Sequence, residues 1–205
     1  GARHLVIKTE EMSNPDYRTN PVNRCYHCKT ELYSRLKKVA QQENIFHILN
    51  GTNTDDLGDY RPGLESAREQ GVRSPLVEAQ FSKQEVRELS RMMKLSIWNK
   101  PAMACLSSRI PYGQPVTEEK LAMIEQAEDV LLSLGFEQIR VRHHGDLARI
   151  ELGKNEMPHY LNNEKIQKIV QEKFKVLGFL TVVLDPEGYR MGSLNSALLE
   201  YKDRV

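Results

Sequence analysis

The chain has 205 residues, 40% of them hydrophobic and 28% charged, with a formal net charge of +1 and three cysteines. This is the composition of a globular protein with room for one large or two small cores. It excludes a disulfide framework, because the cysteine number is odd. It also excludes a spanning apolar segment, a signal-peptide pattern and the basic surplus of a nucleic-acid binder. A reducing cytoplasm is the expected location, with neither a membrane nor nucleic acid as partner.

Leu5-Val6-Ile7 is a short apolar run that predicts a buried strand. Gly1 leads almost directly into it, which suggests that the beginning of a domain has been cut away. Asn14-Pro15 and Asn20-Pro21 predict irregular loop, since the residue before a proline avoids the helical region. Asn23 is placed to cap a helix reaching about Glu43, with Leu32, Leu36, Val39 and Ala40 at helical spacing.

Cys25 and Cys28 fall in the first turn of that helix, where the dipole lowers thiol pKa values and favours anions or a negatively charged cluster. C-x-x-C spacing brings two sulfurs to one side of a helical turn. The pair fits a metal site, a redox couple, a zinc site with His27 as a further ligand, or plain burial of small apolar side chains. The third cysteine, Cys105, precedes Leu106-Ser107-Ser108-Arg109, whose hydroxyls and cation suit an anionic ligand. If the three thiolates meet, their number matters. A structural zinc site closes with four ligands, whereas a cubane iron-sulfur cluster on three cysteines keeps one iron open.

Ile45–Leu49 predicts the next buried strand, followed by a loop from Asn50 to Gly63 at the strand end where open α/β sheets bind ligands. Its Gly, Asn, Asp and Pro content is equally what turns require. A helix is expected from Leu64 to about Gln70, stopping at Gly71. Ser82-Lys83-Gln84-Glu85 is a capping box for a helix whose stripe of Val86, Leu89, Met92 and Met93 should face a core. Gly113-Gln114-Pro115 reads as a linker.

Beyond it, Thr117 caps a helix with Leu121, Ile124, Leu131 and Leu134 inward before Gly135. Phe136–His143 and Leu147–Leu152 are strands joined by a turn at Gly145-Asp146. A helix with Ile166, Ile169, Val170 and Phe174 follows, then a strand at Phe179–Leu184. The order α-β-β-α-β predicts helices on one face of a small sheet. Arg140 and Arg142 share a strand face, ordinarily a solvated one, although an arginine pair can also grip phosphate.

Four stretches taken together, Asn23–Lys29, Gly51–Gly63, Ala104–Gly113 and Glu187–Asn195, closely resemble the LarE family. These are ATP-dependent sulfur transferases that help make the nickel-pincer nucleotide cofactor of lactate racemase. The resemblance implies an α/β fold: a Rossmann-like adenine nucleotide alpha hydrolase (PP-loop) domain over residues 1–113, incomplete at its N-terminus, and a small α+β domain over 114–205. Some family members surrender the sulfur of one cysteine, at the position of Cys105. Those with three cysteines are thought to carry a 4Fe-4S cluster, here on Cys25, Cys28 and Cys105.

The implied substrate is pyridinium-3,5-biscarboxylic acid mononucleotide, adenylated by ATP with Mg²⁺ before sulfur displaces AMP. By the same resemblance, Ser108, Arg109, Arg140 and Arg142 are candidates for the substrate phosphate. Glu128, Asp185 and Arg190 carry over as further substrate-site residues, and Asn53, Asp55 and Asp56 as the nucleotide or Mg²⁺ loop. A homo-oligomer, a trimer or hexamer, is implied as well. The family's Ser-Gly-Gly-x-Asp-Ser phosphate loop is not in this sequence, so these residues alone are expected not to activate substrate. Two alternatives stay open: a tRNA 2-thiolation enzyme of the same superfamily, and a non-enzymatic zinc or iron-sulfur module.

Overall fold

The computed structural model describes residues 3–58, 60–100 and 103–190. They fall into two compact units, Gly1–Lys100 and Pro101–Val205. This division precedes the Gly113–Gln114 boundary expected from the sequence, and it groups Cys105, Ser108 and Arg109 with the second unit.

The first unit is built on helices α1 (Pro15–Arg18), α2 (Arg24–Gln42), α3 (Pro62–Glu69), α4 (Pro75–Glu78) and α5 (Lys83–Met92). α1 forms where loop was expected, because Asn14 is extended and its side chain accepts from Asp16 N while Pro15 opens the helix. α2 packs on α3 around buried Tyr33, Ala67 and Val72, with Leu36 and Ile48 against them. Asn23 stands at the start of α2, but its side chain makes no cap bond. α3 starts at Pro62, and Gly71 stops it with φ 68°.

The two strands expected here do not form. Among the described residues one parallel bridge, Leu49 with Arg73, is all the pairing in this unit. Leu5, Val6, Ile45 and Phe46 are exposed, so these apolar runs lack the ladder partner that a strand needs. The capping box of α5 is present, with Ser82 and Glu85 bonded reciprocally. Its stripe does not enter a core: no residue of α5 is buried, and Met92 and Met93 are exposed.

The second unit follows the predicted order closely. α6 (Glu118–Ser133) is capped by Thr117, whose side chain accepts from Lys120 N. β1 (Ile139–His144) and β2 (Leu147–Leu152) form an antiparallel hairpin, and after α7 (Met157–Leu161) and α8 (Glu164–Val176) comes β3 (Thr181–Leu184), parallel to β2. The sheet order is β1-β2-β3. Gly145 takes φ 68° at the first position of the two-residue turn, where the primed hairpin turns want glycine. Val141, Ala148, Ile150 and Leu152 form one sheet face, packed into the core with Ala127, Leu131, Val170 and Phe174 from the helices. Strand alternation sends Arg140, Arg142, Arg149 and Glu151 to the other face.

Candidate functional site

That other face of the second unit carries a network of arginines and carboxylates. Glu128 projects from α6 and Arg109 ends a short 3-10 turn, Leu106–Arg109. Arg109 Nε and Nη2 donate to the two oxygens of Glu128 at 2.9 and 3.1 Å. Its Nη1 donates to the carbonyls of Ala104 (2.8 Å) and Cys105 (3.0 Å), so this arginine also sets the backbone beside Cys105. Glu128 Oε1 further accepts from Val141 N at 3.0 Å, tying helix to strand.

Arg142 repeats the pattern, donating to both oxygens of Glu151 at 2.8 and 3.1 Å and to Ser108 O at 2.7 Å. The expectation that β1 presents a solvated arginine pair is therefore corrected: Arg140 and Arg142 are 7% and 3% exposed. Burial of an arginine requires a hydrogen-bonded partner, and Glu151, 1% exposed, provides it for Arg142.

Arg140 differs. It donates to Tyr189 Oη at 2.9 Å and Arg190 O at 3.4 Å, its guanidinium lies 4.5 Å over the Tyr189 ring, and among the described residues it has no carboxylate partner. Burial holds its guanidinium below the ordinary value, with Arg142 and Arg109 pushing the same way against Tyr189 and Glu151. Asp185 closes the far side, its Oδ1 accepting from Glu187 N and its Oδ2 3.5 Å from Arg149 Nε. Arg190 is half-exposed and paired with Glu187.

The first unit holds the remaining candidates. Cys25 and Cys28 lie half-buried in the first turn and a half of α2, Cys105 is exposed in the second unit, and none of the three is in a disulfide. Within neither unit do three His, Cys, Asp or Glu side chains gather to hold a metal ion among the described residues. The donor chemistry nevertheless suits a three-thiolate cluster, with two sulfurs supplied from one turn. Asn53, Asp55 and Asp56 form a self-bonded turn: Asn53 Oδ1 accepts from Asp55 N and Asp56 Oδ2 from Asn53 N, each at 3.1 Å. Asp55 Oδ2 accepts from Lys83 N at the start of α5, and Asp56 pairs with Arg61 at 2.9 Å.

No family model matches the chain. It is 47% identical over 97% of its length to an uncharacterized protein of Synechocystis sp., covering 74% of that protein. It is 39% identical, again over 97% of its length, to the pyridinium-3,5-bisthiocarboxylic acid mononucleotide synthase of Lactiplantibacillus plantarum, covering 71% of the synthase. The chain belongs to the LarE family. An uncharacterized Methanocaldococcus jannaschii protein is 32% identical over 83% of the chain and is covered to 66%.

The second unit of this LarE-family chain thus joins Arg109, Glu128, Arg140 and Arg142 in one place, with Ser108 contributing its carbonyl and Asp185 at the margin. Sequence reasoning overlooked Glu151, Tyr189 and Arg149. The two-residue turn at Gly145-Asp146 sets Glu151 opposite Arg140 and Arg149 opposite Arg142. That register was available from the turn signal. No helix among the described residues is long and apolar enough to cross a membrane.

Proposed function

We propose that this LarE-family chain serves ATP-dependent sulfur transfer to pyridinium-3,5-biscarboxylic acid mononucleotide. The similarity to the synthase across 97% of the chain is the observation that carries the reading. A carboxylate is a poor electrophile. Its oxygen attacks the α-phosphorus of ATP and releases pyrophosphate; a sulfur nucleophile then adds to the carbonyl carbon and expels AMP, leaving a thiocarboxylate.

The residues divide between these tasks. Asn53, Asp55 and Asp56 serve ATP and Mg²⁺, for which their oxygens are suitable donors. The arginine face of the second unit serves the anionic substrate, with Ser108, Glu128, Asp185 and Arg190 shaping it. Cys25, Cys28 and Cys105 would hold a 4Fe-4S cluster, which when bound supplies an open iron able to carry exchangeable sulfide. Arg109 supports this assignment, because it fixes the carbonyls of Ala104 and Cys105 while belonging to the arginine face. The sulfur-bearing loop and the anion site are therefore parts of one hydrogen-bonded unit.

The test uses anaerobically reconstituted protein with the substrate given either as free acid plus ATP and Mg²⁺ or as the pre-formed acyl adenylate. Thiocarboxylate detected by mass spectrometry from the adenylate places sulfur delivery in this chain. Binding of neither substrate form, with no sulfur incorporated from either, refutes the reading.

A further inference from the structure

Four guanidiniums, those of Arg109, Arg140, Arg142 and Arg149, occupy one side of the second unit against three carboxylates, Glu128, Glu151 and Asp185. The pairing is uneven. Arg109 and Arg142 each hold a carboxylate through two hydrogen bonds and also bind a backbone carbonyl. They are occupied as braces, and an arriving anion would have to break buried ion pairs to engage them fully.

Arg149 is held differently. It faces Arg142 directly across β1 and β2, a like-charge juxtaposition with Glu151 Oε1 shared between them, bonded to Arg142 at 2.8 Å but 3.6 Å from Arg149. Its Nη2 is 3.6 Å from Glu151 and its Nε 3.5 Å from Asp185, within ion-pair reach but longer than a good hydrogen bond. The Nε atom itself is buried, on a side chain that is 39% exposed, with no hydrogen-bond partner among the described residues. A buried donor left unpaired is costly, and such a group calls for an explanation. Arg140 lies diagonally from Arg149 in the hairpin register, since Arg140 is opposite Glu151 two residues along. Unlike Arg149, which has Glu151 and Asp185 at the edge of ion-pair reach, Arg140 has no carboxylate partner among the described residues.

We propose that Arg149, together with Arg140, is the phosphate-binding pair of this face, and that Arg109 and Arg142 position it. The proposal rests on the substrate reading above and names a residue that the sequence did not single out. A phosphate monoester suits the pair because its several oxygens can accept from two guanidiniums at once. His144, at the end of the same strand face, reports on the spot. Although His144 is exposed at the strand end, partial desolvation by its neighbours lowers its imidazole pKa, and the nearby Arg149 and Arg142 lower it further.

Calorimetric titration of the full chain tests this with three probes: inorganic phosphate, nicotinate mononucleotide, and nicotinate riboside, which lacks the phosphate. Arg149→Gln is expected to weaken phosphate and mononucleotide binding about 10- to 100-fold, the loss of one charged hydrogen-bonding group, while riboside binding stays as it was. Arg149→Lys should recover part of the loss. Wild-type affinity in Arg149→Gln alongside a loss in Arg140→Gln overturns the role of Arg149 but leaves the substrate reading standing. Equal weakening towards mononucleotide and riboside overturns the phosphate assignment. No binding of phosphate or mononucleotide by the wild type overturns the substrate reading itself. A second measurement needs no variant: phosphate at saturation should raise the His144 titration midpoint seen by NMR, and an unmoved midpoint with phosphate bound overturns the proposal.

Discussion

Arg142 and Glu151 lie on neighbouring strands, diagonal in register, with their side chains 4% and 1% exposed and two hydrogen bonds of 2.8 and 3.1 Å between them. Removing one partner strands the other as a buried charge, whereas removing both does not. Glu151→Gln is expected to destabilise the second unit by about 3–5 kcal/mol. Combining Glu151→Leu with Arg142→Met should restore much of that. Urea unfolding of the single and double variants checks it, and a double variant no better than the single contradicts the argument.

His143 is buried on the core side of β1, edge-on to Phe179 at 5.5 Å, with Nδ1 accepting from Gly145 N at 3.2 Å. Burial, followed by nearby Lys120, holds its imidazole pKa below the ordinary value. A depressed folded value means that the unfolded chain takes up the proton first. The stability contribution is therefore complete above about pH 6.5 and is lost as pH falls from there through the folded value. Thermal melts between neutral and mildly acidic pH should show this fall, and His143→Gln should flatten it.

The predicted elements of the second unit all occur in the predicted order, with the short α7 added between β2 and α8, because each predicted element buries its own periodic stripe. Ile124 and Leu131 on α6 and Val170 and Phe174 on α8 are fully buried at their helical spacing. The arginine face was half legible: alternation put Arg140 and Arg142 together, but their burial depends on Glu151, the Ser108 carbonyl and Tyr189, and those contacts come from hairpin register, a distant turn and the segment after β3. In the first unit, Leu5-Val6-Ile7 and Ile45–Leu49 have strand composition, and composition says nothing of whether a ladder partner is present. The α5 stripe shows the same limit. Amphipathic spacing identifies an apolar face, not what covers it.

Gly188 has φ 67°, and a Cβ there would come within 2.8 Å of Leu152 O and of the Met157 sulfur. It immediately precedes Tyr189, whose ring lies against Arg140. Gly188→Ala is expected to cost about 1–3 kcal/mol from the left-handed backbone alone, and more from the clash with backbone. It should also displace Tyr189 and weaken phosphate binding. Calorimetry and thermal melts read the two effects separately.

Ser82 and Glu85 close the start of α5, with Glu85 Oε2 accepting from Ser82 N at 2.8 Å and Ser82 Oγ from Glu85 N at 3.3 Å. The Ser82 hydroxyl, and then its backbone N–H, hold the Glu85 carboxyl below its usual value. With no buried residue in this helix, the cap should matter more than usual. Ser82→Ala is expected to cost about 1 kcal/mol of local stability, read as faster amide hydrogen exchange across residues 83–92.

Single replacements Cys25→Ser, Cys28→Ser and Cys105→Ser should each lower the iron retained after anaerobic reconstitution, together with the visible absorbance of the cluster. Full iron retention in Cys105→Ser would remove that residue from the ligand set. Stoichiometric zinc without iron would point instead to a closed tetrahedral site.

Glu128 and Glu151 hold Arg109 and Arg142 in place without any ligand. The proposed anion-binding face is thus braced during folding, and a guest need freeze few of these rotamers on arrival. Discrimination among guests can then rest on how their charges match a rigid template, and variation confined to the inward residues of β1 and β2 can alter folding while leaving that template as it is.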